Sequence, residues 1–223
     1  MKKKIGITQR VVILKERGES RDVLDQKWYS FSEAMGVMLI PLPNNIKNID
    51  EYITLLGIEG IIFSGGNNVG YNKGLNIKGL TIESNDVAVE RDRTEALILE
   101  LAIKNRIPIV GVCRGFQFIN CYLGGTLVSI EDEEHVAAEH QVSFVNKNWQ
   151  KYYGEHSYFN SYHKWGVRID DLSPDLKVEG ITGSYVEAFS HKCYEIYGIM
   201  WHPERNSILR TEDINLFTQL LQI

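Results

Sequence analysis

Ile107-Pro108-Ile109-Val110-Gly111-Val112-Cys113-Arg114-Gly115-Phe116-Gln117 is the stretch on which the fold of this chain turns. It begins as an apolar run rich in β-branched residues, the pattern of a strand buried on both faces of a parallel sheet. It runs on into Phe116, Ile119 and Leu123, whose spacing is helical. Strand and helix meet at Cys113, with Gly111 and Gly115 two residues to either side. Glycines let the main chain turn this sharply without a Cβ clash. A residue on such a corner sits at a helix N-terminus, where free N–H groups and the helix dipole favour a thiolate. The layout is that of a nucleophile elbow carrying Cys in place of Ser. A buried core cysteine can have the same local sequence, and these residues alone leave both readings open.

Upstream, residues 85–104 place Leu97, Ile98, Leu101 and Ala102 between charges, which predicts a long helix. Residues 67–84 hold Gly70, Gly74 and Gly79 with Asn67, Asn68, Asn72 and Asn76, the composition of a loop. Before that come a strand over 59–63 ending in Ser64-Gly65-Gly66, a short helix over 49–56 closed by Gly57, and a strand over 37–43. Val23, Leu24, Trp28, Phe31 and Met35 share one face of a predicted helix over 21–35, ended by Gly36. A loop over 11–19 and a first strand over 4–8 complete this half. The order β-α-β-α-β-loop-α-β-α predicts an α/β fold, with a doubly wound, mostly parallel sheet and helices on both faces. Sites in such sheets lie at the carboxyl ends of the strands, where Gly65-Gly66 and Cys113 both fall. Downstream, residues 129–160 read as polar and irregular apart from a strand-like 142–145. Short strands follow at 166–169, 176–182, 186–190 and 194–201. Ile214, Phe217, Leu220 and Leu221 predict a closing helix. Without a linker, repeat or low-complexity segment, residues 1–223 are expected to be a single domain.

Composition excludes several classes. Apolar residues make up 43% and charged residues 24%, ordinary for a globular protein, and the net charge of −5 argues against nucleic-acid binding. No apolar run is long enough to span a membrane, and the apolar stretch after the N-terminal lysines breaks at Gln9-Arg10. A cytoplasmic protein is expected. Cys113, Cys121 and Cys193 make neither a disulfide framework nor a zinc site, with Cys121 and Cys193 expected to be unreactive. Glu131-Asp132-Glu133-Glu134-His135, with Glu139 and His140, reads as an acidic solvated loop and no metal is expected there. Gly65 to Gly70 lacks the G-K-[ST] ending of a phosphate loop.

The far end of the chain supplies what the elbow needs. Tyr197-Gly198-Ile199-Met200-Trp201-His202-Pro203-Glu204 ends a strand-like run with a His and a Glu two apart. Cys113, His202 and Glu204 are a candidate nucleophile, base and base-orienting carboxylate. G-V-C-R-G-F-Q followed at a distance by G-I-M-W-H-P-E resembles the class I glutamine amidotransferase superfamily, in its γ-glutamyl hydrolase branch of the peptidase C26 type. Gly65-Gly66, Arg91-Asp92-Arg93-Thr94-Glu95, Gly124 to Leu127, Asn160-Ser161-Tyr162-His163 and Glu187-Ala188 extend the likeness over most of the chain. It departs at Asn67, where the branch often has Asp, and at Lys164-Trp165, where Gln is common.

The resemblance implies a flavodoxin-like amidotransferase fold and a γ-glutamyl thioester on Cys113, with the backbone N–H groups of Gly66 and Arg114 as oxyanion hole. It implies Gln117, Asn160, Ser161 and Tyr162 as the glutamyl pocket, His163 as either a contact or a structural histidine, and Glu187 as its orienter. Lys164, one of the departures, falls where a leaving group would sit and reads as either a contact to it or a surface charge. Asp92 and Glu95, on one helix face, read as structural partners of the turn. Three readings follow: a free-standing hydrolase, a glutaminase subunit feeding ammonia to a synthetase, and a regulatory protein with a vestigial triad. The hydrolase would need no cofactor and act on a small-molecule γ-glutamyl substrate, as a monomer or homodimer. Its leaving group would be γ-aminobutyrate, a polyamine-derived amine or a nucleotide phosphoramidate.

Overall fold

The computed structural model describes residues 1–70, 86–130 and 136–223, and no side chain at 136–137. Strands β1 (Lys4–Thr8), β4 (Met38–Leu42), β5 (Gly60–Phe63), β6 (Ile109–Val112) and β13 (Ile196–Ile199) form the parallel half of one sheet, in the order β4-β1-β5-β6-β13. The sheet continues from β13 through β12 (Tyr185–His191), β11 (Leu176–Thr182), β8 (Val136–Phe144) and β9 (His156–Tyr162), each antiparallel to its neighbour. The expected doubly wound core is present, and a four-stranded antiparallel wing extends it.

Alternation along the central strands divides the core in two. Ile61, Phe63, Ile109 and Ile196 pack on helices α2 (Ile49–Leu56), α3 (Val89–Asn105) and α4 (Arg114–Tyr122). Ile5, Ile7, Ile62, Val110, Val112 and Ile199 pack on α1 (Lys27–Met35), α5 (Lys147–Tyr153) and α6 (Thr211–Leu220) on the other face. A period of two therefore buries both faces, as a sheet covered by helices requires.

Three expectations are corrected. Residues 11–19, read as a loop, belong to a hairpin of β2 (Arg10–Leu14) and β3 (Glu19–Val23), and α1 begins only at Lys27. The described part of 129–160 is not irregular but carries β8, α5 and most of β9. The strand expected at 166–169 is a two-residue β10 (Trp165–Gly166) paired with β7 (Val128–Ser129), followed by a 3-10 turn at Ile169–Asp171. Most of the 67–84 loop and Glu131 to His135 of the acidic segment lie outside the described residues. Among the described residues no helix is long and apolar enough to cross a membrane.

Candidate active site

β6 ends at Val112 and α4 starts at Arg114, so Cys113 alone makes the corner. Its φ of 52° and ψ of −101° lie where few side-chain-bearing residues settle. The corner is this tight because α4 presses on β5. A Cβ on Gly115 would stand 2.2 Å from the Phe63 carbonyl oxygen. Cys113 is 8% exposed, enough to meet a substrate and too little to be solvated.

The other corner follows β13. His202 and Glu204 are both buried, and His202 Nδ1 lies 2.7 Å from Glu204 Oε1. That contact fixes Nδ1 as the donor and leaves Nε2 for the thiol. Burial would raise the Cys113 thiol, but the neighbouring His202, helped by His163 and Arg205, holds it below the ordinary thiol range. Burial would depress His202, but Cys113 and Glu204 raise it to about 9. Each shift comes from the other partner, so the two titrate together.

Asn160, expected in the glutamyl pocket, instead holds the His202 main chain. Its Oδ1 accepts from the His202 N–H (2.8 Å), and its Nδ2 donates to the His202 carbonyl (2.9 Å) and to Asn206 Oδ1 (3.0 Å). Cys113 opens into a cavity of about 330 Å³ whose wall includes Gly66, Arg114, Gln117, Tyr162, His163 and Lys164. Gln117 donates from Nε2 to the Trp165 carbonyl (2.8 Å), which fixes the orientation of its amide. Ser161 and Glu187 are buried and do not line this cavity.

Glu187 lies between two imidazoles, with its Oε2 3.3 Å from His140 Nε2 and 3.7 Å from His163 Nε2. Burial would raise Glu187, but the two histidines bring it down to about 2, and Glu187 in turn raises His163 against the effect of burial. The three form a buried network next to the nucleophile. Its donor atoms lie within 4.8 Å of one another, a spacing that could also hold a metal ion. No spacing in the sequence pointed to it, since its members lie on β8, after β9 and on β12.

Behind both corners, charges on α3 are buried. Arg91 donates to the carbonyls of Ser64 (2.6 Å), Gly65 (3.1 Å) and Gly66 (2.5 Å) and pairs with Glu95 at 2.9 Å. The Arg114 side chain pairs with Asp92 and Glu95. Asp92 and Glu95 thus brace the turns together with Arg91, a residue to which sequence reasoning assigned no role. Asn67 has a similar use: its Oδ1 accepts from the Val11 N–H (2.9 Å), and its Nδ2 donates to the Val11 carbonyl (2.9 Å) and to Asp86 (2.8 Å). An Asp in its place would have no N–H to give. Cys121 is fully buried, and burial raises its thiol to about 12, whereas Cys193 is exposed.

The peptidase C26 family pattern matches residues 5–204. The chain belongs to the peptidase C26 family. This C26 chain is 30% identical over 212 residues to a γ-glutamyl-CDP-amidate hydrolase of Campylobacter jejuni, covering 94% of each chain. It is 27% identical over 172 residues to one of the subunits of a glutamine-hydrolysing GMP synthase of Methanococcus vannielii, covering 75% of this chain and 87% of that one. A solved structure of a GMP synthase subunit from Thermoplasma acidophilum superposes with a TM-score of 0.71 at 18% identity, over 100% of this chain and 94% of that one. The fold is that of the class I glutamine amidotransferases, and the family places the chain among γ-glutamyl hydrolases and glutamine amidotransferase-like proteins.

Proposed function

We propose that this C26 chain hydrolyses a γ-glutamyl amide with Cys113 as nucleophile. The observation that carries the reading is Cys113 held on a strained corner and paired with His202, whose Nδ1 is fixed 2.7 Å from Glu204. The thiolate attacks the γ-carbonyl carbon. The oxyanion is met by the Gly66 and Arg114 N–H groups, with the carbonyls of the Gly65-Gly66 turn drawn away by Arg91. The C–N bond breaks as His202 gives its proton to the departing nitrogen, leaving a γ-glutamyl thioester. A water deprotonated by His202 then attacks the thioester, the S–C bond breaks, and glutamate leaves with the thiolate restored. Gln117, Tyr162 and His163 line the glutamyl end, while Glu187 holds His163 and Asn160 holds the His202 main chain. Residues 1–223 act as one domain in the cytoplasm, without a nucleic acid or membrane partner.

The relative's name supports γ-glutamyl-CDP-amidate as the substrate, with γ-glutamyl-γ-aminobutyrate as the competing one. The GMP synthase relatives support a second reading, a glutaminase subunit that supplies ammonia to a synthetase. Glutamate release by the purified chain from a panel of γ-glutamyl amides and from glutamine separates the two. A hydrolase turns over at least one amide far faster than glutamine with no partner present. Turnover of glutamine alone, appearing only on adding a synthetase, would replace it with the second reading.

A further inference from the structure

The departing nitrogen must lie beside His202 when the C–N bond breaks, because His202 supplies its proton. What surrounds His202 on the side away from the glutamyl pocket therefore defines the leaving group. A second cavity, of about 300 Å³, opens there, between the Gly65-Gly66 turn and α1. Among the described residues, four line both this cavity and the one on Cys113: Gly66, His202, Arg10 and Arg205. The first two belong to the chemistry already described. The other two are arginines that make no bond to the reacting atoms in that chemistry, although Arg205 helps to lower the Cys113 thiol.

Each arginine is held in place. The stem of Arg10 lies over Gly66, whose φ of 83° and missing side chain leave room for it: a Cβ there would stand 2.9 Å from Arg10 Cδ. Arg10 Nη2 pairs with Asp86 Oδ2 at 3.0 Å, and Asp86 is in turn held by Asn67. Arg205 follows the triad directly, with its Nε 3.6 Å from Glu204 Oε1 and its guanidinium 4.8 Å from the centre of the Tyr162 ring. The side chains remain 47% and 32% exposed, so both keep donors for a ligand. Lys164 adds a further cation to the nucleophile's cavity. Guanidinium groups bind phosphate through two parallel N–H bonds, and a pair of them suits a group with more than one phosphate better than a single carboxylate.

We propose that Arg10 and Arg205 form an anion clamp for a leaving group carrying a diphosphate, bound across the junction of the two cavities. Of the substrates proposed above, the clamp selects γ-glutamyl-CDP-amidate, whose amidate product leaves past His202. The inference rests on the γ-glutamyl hydrolase reading and narrows it. It also gives the β2–β3 hairpin a purpose, since that hairpin carries Arg10 to the site.

Titration calorimetry of the purified chain with cytidine diphosphate, cytidine and γ-aminobutyrate tests the clamp without relying on turnover. Cytidine diphosphate, which has oxygen where the product has nitrogen, should bind far more tightly than the other two. Arg10→Gln and Arg205→Gln should each weaken it ~10- to 100-fold, the loss of one charge-assisted contact, and leave cytidine binding unmoved. Arg10 is on the surface, so its variant decides the matter if Arg205→Gln folds poorly. Equal binding of cytidine and its diphosphate, equal binding of γ-aminobutyrate, or a diphosphate affinity untouched in Arg10→Gln would overturn the clamp. Hydrolysis of γ-glutamyl-p-nitroanilide by the same preparation reports separately on the hydrolase reading. Turnover of the anilide with no preference for the diphosphate sinks the clamp alone, whereas diphosphate binding with no turnover of any γ-glutamyl amide sinks the hydrolase alone.

Discussion

Cys113 and His202 set each other's protonation, and this fixes the pH range in which the proposed chemistry can run. Cys113 is lowered and His202 is raised to about 9, so the ion pair persists from below the ordinary thiol range up to about 9. Above that, His202 is neutral and has no proton for the leaving nitrogen. Alkylation of Cys113 by iodoacetamide should therefore stay fast at a pH where a free thiol is mostly protonated, while turnover falls as pH rises through about 9. In His202→Ala the alkylation profile should move to clearly higher pH. Profiles that coincide in the two proteins would show that His202 does not govern the thiol. At this scale the sequence was informative: G-x-C-x-G and W-H-P-E mark the two corners because the chemistry needs those residue types in those places. It marked Arg91 only as part of a motif and gave it no role, because a charge on a helix is ordinarily solvated and only the fold shows that this one is buried.

The elements owe their positions to close approaches that leave no slack. Gly115 brings α4 onto β5 with no room for a side chain, and the clash would be with backbone, which cannot give way. Gly115→Ala should destabilise the protein by ~1–3 kcal/mol through overpacking and lower turnover more than stability alone explains, because Cys113 rides on the displaced corner. Thermal melting and kcat measured together check this, and a variant with wild-type values in both would contradict it. The elements that the sequence concealed share a physical cause. β3 is exposed along its whole length, so it has no buried face to impose a period of two. β9, His-Ser-Tyr-Phe-Asn-Ser-Tyr, lies at the edge of the sheet and is mostly polar, and α5 is only seven residues long. The parallel strands and α2, α3, α4 and α6 were legible because burial on one or both sides wrote their periods into the sequence.

Across the whole molecule, the site lies where the parallel half meets the antiparallel wing. The parallel half supplies Cys113 and Gly66, the wing supplies Glu187 and its histidines, and β13, which precedes His202, pairs with both. The His140–Glu187–His163 triad ties β8 and β12 to the segment after β9. Glu187 is lowered from 4.5 to about 2, so its contribution to stability is complete above about 4.5 and is lost as pH falls toward 2. The wild type should lose melting temperature through that window more steeply than Glu187→Gln. The variant should already be less stable at neutral pH by ~3–5 kcal/mol, the cost of breaking a buried pair. Equal slopes would show that the triad does not bind the wing together.

Covalent capture of the γ-glutamyl group by Cys113 can be read by treating the protein with the glutamine-like electrophile 6-diazo-5-oxonorleucine, measuring intact mass and mapping the labelled peptide. One adduct per chain is expected, on Cys113, absent in Cys113→Ala and unchanged in Cys121→Ser and Cys193→Ser. An adduct on Cys193 or Cys121, or undiminished labelling of Cys113→Ala, would rule out Cys113 as the nucleophile.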